Sequence, residues 1–200
     1  MALVQTFHLP HFPAHPTYIS LFRDVENVNF LRQQLLEANA EFEYAFLDAT
    51  MILSTTHVLA AVFRALNDML NNRLKSRNVH SEVVFSLSPN NNIAESFRRF
   101  GINDTTRTLL AIKISTNLNV TAEGVERHLS SSITGVAIPF TNDALADITD
   151  LAKVRRIYKL DTGNANSNGS AGKKGKRDKS ADERIEIESV VLGIMALKGS

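Results

Sequence analysis

The chain contains no cysteine among its 200 residues. That excludes a disulfide framework, thiolate zinc sites and thiol nucleophiles, and it suits a reducing compartment. Charge of one sign is not in excess either: 22 Lys and Arg stand against 21 Asp and Glu, leaving +1 at pH 7. No global field then draws the protein onto nucleic acid or membranes, so any such binding must come from a local patch. No stretch approaches the ~20 apolar residues of a membrane-spanning helix. The N-terminal MALVQTFHLPHF has neither the basic region nor the long apolar run of a secretory signal. The expected protein is soluble, with no membrane partner. A nucleophile elbow of the form Gly-x-Ser-x-Gly is missing, as are a P-loop and a dinucleotide fingerprint, so an enzyme is disfavoured.

What is present is ordinary globular composition, 44% hydrophobic and 22% charged, and the roughly 180 residues that look foldable are enough to bury about 70% of the unfolded surface. One segment departs from it. Asp161 to about Asp182, DTGNANSNGSAGKKGKRDKSAD, has no large apolar residue, four glycines and a basic cluster at Lys173, Lys174, Lys176, Arg177 and Lys179. It cannot bury enough surface to offset its ordering entropy. It reads as a disordered insertion at about residues 162–181: a solvated linker, with a nuclear import signal or a phosphate-binding arm as the functional alternatives. Elsewhere strands and helices alternate. LVQTFHL, TYISLF, FEYAFLDA, EVVFSL and TLLAIKI have strand character. Helical spacing appears at 27–39, 54–74, 92–100, 121–130, 142–160 and 182–198. In 54–74 the stripe is Leu59, Val62, Phe63, Leu66 and Leu70, with Ser54 or Thr55 as cap. The pattern predicts a single compact α/β (α+β) domain, a small mixed sheet packed with about six helices.

The stretch SLSPNNNIAESFRRFGI, residues 86 to 102, is the most informative. Asn92 and Glu95 have the spacing of a capping box. Ile93, Phe97 and Phe100 fall on one helical face, Arg98 and Arg99 point away from it, and Gly101 supplies a left-handed stop. Asn90 and Asn91 remain, between a strand end and a helix start. The N–H groups of a helix start attract anions, and asparagine offers donors and an acceptor to a base edge or ribose. Such a corner fits a nucleotide end; a plain polar turn is the structural alternative.

These residues also carry a resemblance. FSLSPNNNIAESFRRFGI, FLDATMILSTTHVLAAVFRAL and IYKLD…IESVVLGIMALKG together resemble the family that includes the PRPK-binding protein, the smallest core subunit of the KEOPS (EKC) complex. The likeness runs from about Leu3 to Gly199 apart from the insertion, which suits a fungal or other eukaryotic member. The resemblance implies a non-catalytic subunit of nucleus and cytoplasm, without cofactor. Its implied partners are the complex's atypical kinase/ATPase, the CCA 3′ end of tRNA and, indirectly, the subunit that transfers threonylcarbamoyl to the adenosine 3′ of the anticodon. It also implies links to telomere maintenance and transcription. The tRNA-binding residues expected on this reading are Ser88, Asn90, Asn91, Asn92, Ile93, Arg98 and Arg99, with salt-dependent phosphate contacts. A protein-only regulator of the kinase, ignoring RNA, is the competing reading.

The last helix suggests where the kinase docks. With Ile187 at zero on the wheel, Val190, Val191, Ile194 and Leu197 form a core stripe within about 80°. Ile185 and Leu192 lie nearly opposite, with Met195 between. A second apolar face on a surface helix often marks a partner site, which makes Ile185, Leu192 and Met195 the expected kinase contacts; the structural alternative is that neighbouring helices cover both faces. Six histidines suggest no metal: His11 and His15 are four apart within HFPAHP, whose prolines forbid a helix. His57 falls opposite its helix's stripe and is expected at the surface or helix start. Glu41, Glu43 and Asp48 read as solvated strand-edge charges.

Overall fold

A computed structural model of the chain describes residues 3–117, 119–160 and 176–198, with backbone alone for 176–181. β2 (Thr17–Arg23) is the hub of its sheet. On one edge it pairs with β4 (Leu109–Ile114), from Thr17 opposite Ile114 to Phe22 opposite Leu109. On the other edge β1 (Gln5–Phe7) and β5 (Val136–Ile138) lie one after the other. β3 (Ala45–Asp48) pairs with the far edge of β4. All these pairings are antiparallel, where the alternation of elements had suggested a mixed sheet.

Both faces of the sheet are covered, which is why β2 is buried over six of its seven residues. Ile19, Leu21, Leu47, Leu110 and Ile112 face one core with α2 (Thr55–Leu70), α3 (Val79–Leu87) and α8 (Lys176–Leu197). Tyr18, Phe22, Phe46, Leu109 and Ala111 face the other, against α1 (Val28–Leu36) and α5 (Ala122–Ser132). The period-two alternation of a strand thus feeds two hydrophobic layers at once. With α4 (Ile93–Phe100), α6 (Asn142–Ile148) and α7 (Leu151–Tyr158), eight helices lie among the described residues. The α+β layer structure is as expected, and the predicted 142–160 helix is broken at Thr149 and Asp150. There the Thr149 hydroxyl turns to the carbonyls of Ile52 and Leu145, and the Asp150 carboxylate accepts from Lys153 N–H at 3.0 Å to start α7.

Three expectations change. EVVFSL is not a strand but most of α3. Asn78 caps that helix, its side-chain oxygen accepting from Ser81 N–H at 2.8 Å, and nearly every residue from Val79 to Leu87 is buried. A helix buried all round carries no polar face, so its β-branched run looks like a strand. Secondly, α2 is turned from its predicted stripe: the buried set is His57, Val58, Ala61, Val62, Ala65 and Leu66, while Phe63 and Leu70 are exposed. Alanines at 61 and 65 suit the close packing of α2 on α3, and side-chain size misplaced the face. Thirdly, Gly101 is extended (φ −71°, ψ 168°) rather than left-handed. Its need for glycine is steric, because a Cβ there would come within 2.6 Å of the Phe97 carbonyl oxygen. Of the expected insertion, residues 161–175 lie outside the described residues, while Lys176 onward belongs to α8.

Candidate functional site

Since α3 replaces the expected strand, the asparagine loop joins two helices. It is largely self-satisfied. Ser88 is fully buried, and its hydroxyl donates to Asn90 Oδ1 at 3.2 Å while accepting from Asn90 N–H at 3.4 Å. Asn90 Oδ1 also accepts from Asn92 N–H at 3.1 Å. Asn92 Oδ1 caps α4 by accepting from Glu95 N–H at 3.0 Å, and the Asn92 carbonyl accepts from the Ser96 hydroxyl at 2.8 Å. Half of the predicted capping box is therefore present. The other half is replaced, because Glu95 turns outward to Arg98 (2.5 and 2.7 Å) and Arg99 (2.5 Å). Those guanidiniums, Arg98 first, hold the Glu95 carboxyl down to about 2. Asn91 alone of the three asparagines adds no turn-closing side-chain bond and is exposed.

The opening lies beside the loop, not on it. A cleft of about 670 Å³ is bounded by α1, by the segment leading into α3 and by α4, within the range of small-molecule and nucleotide sites. Of the predicted tRNA-binding residues it collects Ile93 and Arg98; Ser88, Asn90, Asn91, Asn92 and Arg99 do not line it. In their place stands Phe97, assigned to the core by the helical wheel yet 36% exposed on the cleft wall, while Phe100 alone of that face is fully buried. Arg32 and Arg77 add charge at the rim, and Phe42, Tyr44 and Phe46 form the floor. Tyr44 stacks between Phe46 and His128, and its hydroxyl meets His128 Nδ1 at 3.0 Å. Burial pushes its phenol up to about 12. Arg32 and Arg77 lay outside the motif, and only the folded chain brings them to it.

A second opening, about 680 Å³, runs between α2 and α8. The two helices run parallel: Ser54 bonds Glu188 at one end, and at the other the Arg64 guanidinium donates to the carbonyls of Met195 and Lys198. Phe63, Arg64, Leu192 and Lys198 line the groove. Ile185, 64% exposed, shares the helical azimuth of Leu192. Met195 also borders the groove, but at 3% exposure it offers little surface to a partner and packs in the core with Ile187 and Val191. Val190 and Leu197, placed on the core stripe by the wheel, are exposed instead. The buried face is centred between Ile187 and Met195, about 60° from where the wheel put it. Lys198 is buried, its ammonium 3.4 Å from the Phe85 ring centroid and bonded to the Phe85 carbonyl. Desolvation draws it down to about 7.

His57, expected at the surface, is fully buried. Leu53 N–H donates to its Nδ1 at 3.2 Å, so Nε2 carries the proton and faces the Tyr158 hydroxyl at 3.1 Å, which in turn donates to the Leu87 carbonyl. The chain ties α2 to α7 and α3 and belongs to the frame of the site.

The family described as "Kinase binding protein CGI-121" matches residues 22–199. The EKC/KEOPS complex subunit cgi121 of Aspergillus terreus is 52% identical over 98% of this chain and 97% of its own length. Its namesake in Aspergillus fumigatus is 50% identical over the same shares. That of Schizosaccharomyces pombe is 33% identical over 76% of this chain and 87% of its own. With a family match across most of the fold and relatives this similar over nearly their whole length, the chain belongs to the CGI-121 family of kinase-binding proteins, whose members here are EKC/KEOPS complex subunits.

Proposed function

We propose that the chain is a non-catalytic adaptor: it binds the atypical kinase of its complex along the α2–α8 face and holds the single-stranded CCA end of tRNA in the cleft beside α4. Threonylcarbamoyl transfer to the adenosine next to the anticodon then falls to another subunit. The observation that carries the RNA half is the cleft itself. One partly exposed aromatic, Phe97, stands with Ile93 among Arg32, Arg77 and Arg98, a stacking platform with cationic groups that suits an unpaired nucleic-acid end, although Arg32 is paired with Asp104 and Arg98 with Glu95. Asn91 and the exposed start of α4 stand nearby and extend the surface toward the phosphates.

A gel shift tests it. Wild-type protein is expected to bind full-length tRNA and to lose most affinity when the CCA is removed. Phe97→Ala is expected to weaken binding to CCA-bearing tRNA by about 5- to 100-fold, the worth of one stacked base, with its far-ultraviolet dichroism unchanged. Equal binding with and without CCA would refute the cleft as the end-holding site and favour the protein-only regulator. For the kinase half, Leu192→Glu places a charge in the groove beside Phe63. Co-purified kinase is expected to fall at least ~10-fold while the melting temperature stays within a few degrees; full kinase retention would move the interface elsewhere.

A further inference from the structure

We propose that Glu43 is a base-reading residue: its carboxylate accepts a hydrogen bond from the exocyclic amino group of a nucleobase seated in the cleft. This rests on the RNA reading above. Glu43 is the one acidic side chain among the described residues lining that cleft. The sequence alone gives it no more standing than Glu41 or Asp48.

Three features set it apart. Its backbone is fixed, since Lys113 Nζ donates to the Glu43 carbonyl at 2.6 Å and lies 4.7 Å from the centroid of the Tyr44 ring. Its side chain is 42% exposed, enough to meet a ligand. And behind it stands His80, whose side chain is 4% exposed. Ile114 N–H donates to His80 Nε2 at 3.0 Å, which puts the ring proton on Nδ1. That Nδ1 has no hydrogen-bond partner among the described residues and points to Glu43 Oε1 at 3.8 Å. A buried, otherwise unpaired N–H aimed at a carboxylate orients it and favours its charged form; the Glu43 carboxyl is accordingly held below its usual range, chiefly by His80.

An acceptor-only group set among arginines repels phosphate, so it has to meet the donor-bearing part of a ligand. In a nucleic-acid end those donors are the amino groups of the bases. Cytosine presents an N4 amine and adenine an N6 amine, whereas uracil presents the O4 acceptor where cytosine has its donor. Glu43 therefore selects amino-bearing bases and rejects uracil by acceptor–acceptor repulsion.

The experiment is a gel shift of the full chain with tRNA transcripts ending in CCA, UUA, CCU or lacking the tail. Wild-type protein is expected to bind CCA about 10-fold or more tighter than UUA if a cytosine is read, or than CCU if the terminal adenine is. Glu43→Gln, which keeps the shape and adds a donor suited to uracil O4, is expected to bring that ratio near one while kinase co-purification is unchanged. A Glu43→Gln protein that keeps the wild-type ratio overturns the inference, as does a wild type that binds all three tails equally. In the latter case the RNA reading stands as long as removing the tail abolishes binding. Indifference of the wild type to tail removal overturns both. Loss of kinase together with an unchanged tail ratio would reassign Glu43 to a protein contact.

Discussion

His57→Leu is expected to lower the unfolding free energy by about 3–5 kcal/mol. The replacement leaves Leu53 N–H without an acceptor and strips the Tyr158 hydroxyl of its donor. Each buried polar group so orphaned costs about 1–3 kcal/mol, and the altered shape adds a packing loss. Tyr158→Phe is expected to cost about 2–4 kcal/mol: it keeps the Leu53–His57 bond and most of the packing but leaves the His57 Nε2–H and the Leu87 carbonyl without their partner. Urea denaturation of the three proteins measures both; a His57→Leu protein within ~1 kcal/mol of wild type would show that the chain of bonds is dispensable. The same histidine sets an acid limit. Burial lowers its pKa from 6.5 to about 3, so below pH 6.5 the unfolded ring binds a proton that the folded ring refuses. Stability is whole above that point and is lost as pH falls toward 3, by about 1.4 kcal/mol per unit. His80, depressed mainly by its own burial, adds a loss of the same sign in the same direction. In His57→Leu the slope between pH 6 and 4 should flatten, and an unchanged slope would assign it to other groups.

Arg64→Ala is expected to cost about 2–4 kcal/mol and to release the end of α8. Its guanidinium reaches two C-terminal carbonyls, those of Met195 and Lys198, and lies 3.9 Å from Asp68. A charged fork that closes a helix end satisfies acceptors that otherwise have no intrahelical partner. Lysine cannot span both, so Arg64→Lys should recover little. Because Leu192 and Ala196 line the neighbouring groove, hydrogen exchange in the last two turns should accelerate, and kinase co-purification should fall with it. Protection of those amides at wild-type levels would show that the Lys198–Phe85 contact holds the end alone.

How much of this the sequence discloses depends on what each residue's signal is made of. Caps are local: Ser54, Asn92 and Thr121 each accept from the backbone N–H three residues on, and their helices begin where composition says. Helical faces are not local. The wheel treats large residues as the buried ones, yet α2 buries alanines and leaves Phe63 outside. The same bias put Phe97 in the core and Val190 and Leu197 with it. α3 was hidden for the opposite reason, a helix with no polar side. The cleft was half legible. SLSPNNNIAESFRRFGI announces it, but its asparagines build the turn while its phenylalanine faces the opening. Arg32, Glu43 and Arg77 come from segments far along the chain, and no spacing rule connects them.

The central position of β2 has a consequence for how the protein is made. Its partners come from residues 5–7, 109–114 and 136–138, so during synthesis one whole edge of a strongly apolar ribbon stays unsatisfied until Ile114 has left the ribosome, and half of the other until Ile138 has. Pairings this remote in sequence close slowly, and open edges invite association with other chains. Truncated translation products that end before β4 should therefore be the aggregating species in the cell, and the demand for chaperones should fall on the nascent chain more than on the finished one.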